Sequence, residues 1–188
     1  MEKFLRKKMR KKWMCILAFF VCILIIQSCQ GGMNTEPYDD FIANLEDEKF
    51  YAFVSLEENA YPVLLVADGV YECDDIQAAF YCSVYYVTEE QVALLGSIRS
   101  EGTAYPISSD KTGLYTMGHH YVKRYIVDEE QGELVLAEYA EEVFQEGTGA
   151  ESYFYAAEDK TKQVEDRSVL EAMAEKYFDA EIADFCSP

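Results

Sequence analysis

Side chains able to do chemistry are few and widely spaced in this 188-residue chain. The two histidines, His119 and His120, are adjacent. On a strand, neighbouring side chains leave opposite faces, which is wrong for joint metal ligation, so the pair reads as surface or turn histidines. The acidic pairs Glu89-Glu90, Glu129-Glu130 and Glu141-Glu142 have the residue types of a glycosidase acid and base. In a chain with 35 acidic and 16 basic residues such pairs arise from composition, and solvated faces are the simpler reading. There is no Gly-x-Ser-x-Gly elbow, no glycine-rich phosphate loop before a helix and no His-Glu-x-x-His. The expectation is no catalytic residue, no metal site and no cofactor.

The cysteines after the N-terminal region are Cys29, Cys73, Cys82 and Cys186. Cys73 and Cys82 flank the turn-prone Asp74-Asp75, and two readings stand. They form a disulfide between neighbouring strands in an oxidising compartment, or they are buried free thiols acting as small hydrophobes.

Tyrosine is abundant, with 15 residues. Side chains alternate across a strand, so Tyr81 and Tyr85 share one face and Tyr153 and Tyr155 share another. Tyrosine combines broad contact area with a polar tip, and these four residues are the candidate binding face for a protein or glycan partner. The competing reading is structural, since tyrosine is also a favoured half-buried strand residue. The net charge of −19 makes nucleic acid and anionic lipid surfaces poor partners.

The elements that would position these residues are mostly strands. Phe41, Ile42 and Leu45 fall on one helical face behind Asp39 and Asp40, which predicts a short helix. From Lys49 the apolar period becomes two, and a first strand near 50–55 is followed by a second over Pro62–Ala67. Further strands are expected over Ile76–Val87, Gln91–Ile98, Tyr105–Ser108, Leu114–His119, Tyr121–Val127, Glu133–Phe144 and Ser152–Ala156. Turn-rich segments separate them. Near the end, Ser168-Val169-Leu170-Glu171 has capping-box spacing. Leu170, Met173, Ala174 and Tyr177 then form an apolar helical stripe. The fold class expected is mostly β (α+β): an antiparallel β-meander in a curved sheet, with a short helix at each end of the domain.

At the start of the chain, Lys3, Arg6, Lys7, Lys8, Arg10, Lys11 and Lys12 precede the apolar run Met14–Ile26. That run is shorter than the roughly 18 residues expected of a spanning helix, and a basic flank before it is the layout of a secretory signal. It closes on Ile25-Ile26-Gln27-Ser28-Cys29, which resembles the lipobox of bacterial lipoproteins. The resemblance implies that the Cys29 thiol carries a diacylglyceryl group and that cleavage falls after the small Ser28. Two acyl chains give a stable anchor without a transmembrane helix. An uncleaved N-terminal anchor is the alternative, and both place the remainder on the extracytoplasmic face of the cell membrane. The boundaries expected are a signal peptide at 1–28, a flexible tether at 29–37 containing Gly31-Gly32 and Pro37, and a single domain at 38–188.

The first hairpin, Tyr51-Ala52-Phe53-Val54-Ser55-Leu56-Glu57-Glu58-Asn59-Ala60-Tyr61-Pro62-Val63-Leu64-Leu65, is similar to that of a group of secreted lipoproteins from Gram-positive gut bacteria. In that group it typically reads Tyr-Ala-Leu-Tyr-Asp-Ile-Asp-Gly-Asp-Gly-Thr-Pro-Glu-Leu-Leu and looks like a calcium loop. In this chain Ser55, Glu57 and Asn59 stand where three Asp residues would, Ala60 replaces a Gly and Val63 replaces the Glu. The resemblance implies location and fold; it implies neither calcium binding here nor an enzyme activity. The function expected is therefore a membrane-anchored, non-catalytic binding or envelope-interaction module. The alternative is a small extracellular hydrolase using carboxylates.

Overall fold

The computed structural model describes residues 32–89, 91–145, 151–157 and 160–188. The expected signal peptide, Cys29 and Glu90 lie outside the described residues. Among those described, no helix is long and apolar enough to cross a membrane.

A 3-10 turn, Glu36–Tyr38, leads into the short helix α1 (Asp39–Ile42). Tyr38 is fully buried and its hydroxyl donates to the Pro62 carbonyl at 2.5 Å, and Thr35 before the turn is buried as well. The strands follow as β1 (Phe50–Val54), β2 (Val63–Ala67), β3 (Tyr71–Cys73), β4 (Ile76–Ala78), β5 (Tyr81–Thr88), β6 (Gln91–Arg99), β7 (Ser108–Asp110), β8 (Gly113–Gly118), β9 (Tyr121–Asp128), β10 (Glu133–Phe144), β11 (Glu151–Ala157) and β12 (Lys160–Val164). Helix α2 (Ser168–Asp179) and the two-residue β13 (Glu181–Ile182) complete the domain. The protein is mostly β and antiparallel, with a helix near each end of the domain.

The strands divide between two main sheets. One has four strands in the order β1-β2-β5-β6; the other has seven, in the order β12-β11-β10-β9-β8-β7-β13. The main core lies between them: Ala52, Val54, Leu65, Cys82, Val84 and Ile98 from the smaller sheet meet Leu114 and Val127 from the larger. Strand β2, with the unbroken apolar run Val63–Ala67, is buried along its length. Its Leu64 and Val66 face the other way, into a cluster with Tyr38, Phe41 and Ile42. On the far side of the larger sheet, Leu170, Met173 and Tyr177 of α2 pack on Tyr115, Val122 and Ala140. The order of layers is helix, sheet, sheet, helix.

Several expectations need correction. The strand expected over Tyr105–Ser108 begins only at Ser108 and runs on to Asp110, into the segment expected as a turn. The segment Ile76–Val87 is not one strand: at Ala79 and Phe80 the carbonyls accept N–H bonds from Ile107 and Ser100, which ends β4 before β5 begins. Helix α2 is not capped by Ser168, which already lies inside it. Its start is held by Asp166, whose carboxylate accepts the Ser168 N–H at 2.9 Å. Cys73 and Cys82 are free thiols. The Asp74-Asp75 turn pairs Cys73 with Ile76 in the small β3–β4 hairpin, whereas Cys82 is fully buried in the core of the four-stranded sheet. Burial pushes the Cys82 thiol pKa well up, which keeps it protonated.

Candidate functional site

A cavity of about 260 Å³ opens where the β1–β2 loop meets the β7–β8 turn and strand β9. Its apolar lining is Leu56, Ile126 and Val127; Glu57, Glu58 and Asn59 come from the loop, and Lys111, Thr112 and Arg124 from the other side. Two hydrogen bonds hold the walls in register. The Glu57 N–H donates to the Lys111 carbonyl at 2.8 Å, and the Asn59 amide donates to the Val127 carbonyl at 3.2 Å. A third fastening lies beyond: Glu129 accepts the Tyr86 hydroxyl at 2.6 Å and also the Ala60 N–H. Burial, then the bond to Glu129, pushes the Tyr86 pKa up to about 12. The β1–β2 loop is thus tied down by its own backbone and by Asn59.

Arg124 is held on two sides in the cavity wall, with only 20% of its side chain exposed. Its Nε donates to Glu138 Oε2 at 2.7 Å and its Nη1 to the Thr112 carbonyl at 2.8 Å. Each partner is itself fixed. Asp110 Oδ1 accepts the Thr112 and Gly113 N–H groups and the Thr112 hydroxyl, an Asx-type turn, while its Oδ2 accepts the Tyr115 hydroxyl at 3.1 Å. Glu138 also accepts the Tyr155 hydroxyl at 2.8 Å, with Lys176 of α2 at 3.6 Å. Desolvation alone would raise the Glu138 pKa; the hydrogen bonds from Tyr155 and Arg124 and the nearby positive charges outweigh it, so the carboxyl lies below its ordinary value. Gly113 completes the fit, because a Cβ there would sit 2.5 Å from the Tyr125 carbonyl oxygen and 2.9 Å from Arg124 Cγ.

A second polar cluster sits at the β8–β9 turn. His119 and His120 form that turn, in keeping with the turn reading, and their rings meet edge to face with centroids 4.6 Å apart. His120 Nδ1 donates to Glu142 Oε2 at 3.0 Å, and the Arg167 guanidinium stands 3.9 Å from the same oxygen. The Glu142 side chain is only 3% exposed. Its desolvation is outweighed by His120, Arg167 and a bond from Tyr153, so its pKa is also lowered. Among the described residues no serine, threonine or cysteine side chain hydrogen-bonds either imidazole, and no three His, Cys, Asp or Glu side chains are grouped to hold a metal ion.

The four tyrosines expected to form a binding face sit in different surroundings. Tyr81 and Tyr85 share a face of β5, but Tyr85 packs against Phe41 at 4.8 Å beneath the N-terminal segment, leaving Tyr81, 40% exposed, without it. Tyr153 and Tyr155 share a face of β11, and it is the face toward α2. Tyr155 packs into the helix cluster and spends its hydroxyl on Glu138, while Tyr153 donates to Glu151 at 2.6 Å. Packing against the helices accounts for two of these four rings, Tyr85 and Tyr155.

Sequence reasoning missed Lys111, Thr112, Arg124 and Glu138. The signal available was thin: Asp110-Lys111-Thr112-Gly113 is a turn, and Arg124 is one of two adjacent cations, with Lys123, on its strand. Compared with protein-family models, with curated proteins and with solved structures, the chain has no match.

Proposed function

We propose that this protein is a membrane-anchored lipoprotein on the extracytoplasmic face, held through Cys29, whose domain binds a small ligand and does no chemistry on it. The lipobox-like Ile25–Cys29 and the basic flank before it support the anchor. The observation that carries the binding reading is Arg124. A guanidinium fixed from behind by Glu138 and Thr112 while it lines a cavity is pre-organised to receive a ligand without an ordering cost. The hydrolase alternative requires a carboxylic acid that stays protonated near neutral pH. Glu138 and Glu142, the carboxylates most committed to the interior, have pKa values moved the other way.

Two measurements test the proposal. Cys29→Ser should shift the protein from the membrane fraction to the medium or leave the precursor unprocessed; unchanged membrane retention with an unmodified thiol at Cys29 would remove the lipid anchor. For binding, the intact lipoprotein in detergent is incubated with a metabolite extract, and retained compounds are identified after denaturation. Enrichment that Arg124→Met reduces is expected, and no enrichment over a detergent blank would overturn the binding reading.

A further inference from the structure

We infer that the cavity takes a small zwitterion, an amino acid or short peptide with a free ammonium and a free carboxylate; this rests on the binding reading above. Size sets the first limit. Pockets for drug-sized ligands span roughly 300 to 1,000 Å³, and this one, at about 260 Å³, is smaller.

Charge sets the second limit. One wall carries Lys111, whose ammonium makes no ion pair among the described residues, beside Arg124, whose Nη2 is likewise left over once Glu138 and Thr112 are satisfied. The facing loop carries Glu57 and Glu58, and neither carboxylate has an ion-pair partner among the described residues. The Glu57 N–H to Lys111 carbonyl bond fixes the separation of the two walls. The apolar part of the lining comes from Ile126 and from the edges of Leu56 and Val127, which are otherwise buried in the core.

Each simpler ligand leaves part of this lining uncompensated. A phosphate or other anion would meet Lys111 and Arg124 but be opposed by both loop carboxylates and by the net charge of −19. A lone cation would use the carboxylates and strand the two cationic groups. A neutral sugar would partly desolvate all four charges and pair none. A zwitterion places its carboxylate at Arg124 and Lys111, its ammonium at Glu57 and Glu58, and a small apolar side chain against the apolar part of the lining.

Titration calorimetry on the intact lipoprotein in detergent, with alanyl-leucine, its N-acetyl derivative, its C-terminal amide and maltose, tests this. Alanyl-leucine is expected to bind, with about tenfold or greater weakening on blocking either end. Lys111→Glu, at an exposed turn position, should weaken the free dipeptide while changing the amide much less. The inference is overturned if blocked and free dipeptides bind alike, if Lys111→Glu changes nothing, or if the dipeptide does not bind at millimolar concentration. Maltose binding without dipeptide binding would remove the zwitterion and leave the binding reading standing. No heat from any probe, together with no compound retained from extract, would remove both.

Discussion

Arg124 and Glu138 face each other across the β9–β10 pair immediately after the register shift at Leu136/Glu138. The irregularity is what aims the carboxylate. Without the extra residue, Glu138 would be out of step with Arg124 and its side chain would leave the opposite face of the sheet. Both partners are mostly buried and each keeps further bonds, so removing one strands the other. A double-mutant cycle with Arg124→Met and Glu138→Met, followed by urea unfolding, should give a coupling of about 1 to 3 kcal/mol. Additive effects would show that the pair is geometrically close but energetically idle.

Gly113→Ala should cost more stability than an ordinary turn substitution, because the new methyl meets backbone at Tyr125 as well as Arg124 Cγ. The expected loss is about 1 to 3 kcal/mol, with weaker ligand retention than wild type. Gly69→Ala is the control, since a Cβ there meets nothing within 4 Å.

Acid stability follows from the directions of two pKa shifts. The folded pKa values of Glu138 and Glu142 lie below their unfolded values, so their contribution is fully present above the unfolded pKa, about 4.3. It is lost as pH falls from there through the folded values. Falling pH also relieves repulsion in an acidic chain, so the informative quantity is a difference between proteins. Urea midpoints at pH 7, 5 and 3.5 should fall on the acid side for wild type, and the gap to Glu142→Gln should narrow there.

Much of the architecture was legible because it is local. The run Val63–Ala67 reads as a buried strand, Glu133–Phe144 as a long one, and the α2 stripe from the spacing of Leu170, Met173 and Tyr177, all of which are buried. What the sequence hid is set by long-range pairing. The break after Ala78 depends on Ile107 and Ser100, far along the chain. The cavity joins residues 57, 111 and 124, and no local period relates them. His119 and His120 form a turn, as their surface-or-turn reading has it, but their contact with Glu142 depends on a residue 22 positions away. Tyr85 and Tyr155 were correctly paired with their strand neighbours; what covers them could not be read from alternation alone.

The cysteines offer a direct check on the core. Cys82 should resist a thiol reagent in the folded protein and react only on unfolding, because it is buried and its pKa is raised. Cys73, partly exposed, should react in the native state. If the non-reduced protein instead shows Cys73 and Cys82 joined in one disulfide-linked peptide by mass spectrometry, the hairpin and core assignments of these two residues are wrong.

A ligand seated in the cavity between Glu57 and Arg124 would slow opening of the backbone on both walls. Hydrogen–deuterium exchange on the intact lipoprotein, with and without metabolite extract, reads this at the backbone of residues 56–60 and 111–113. Slower exchange in both segments, absent in Arg124→Met, is the predicted result. Unchanged exchange there, with protection appearing elsewhere on the domain, would contradict it.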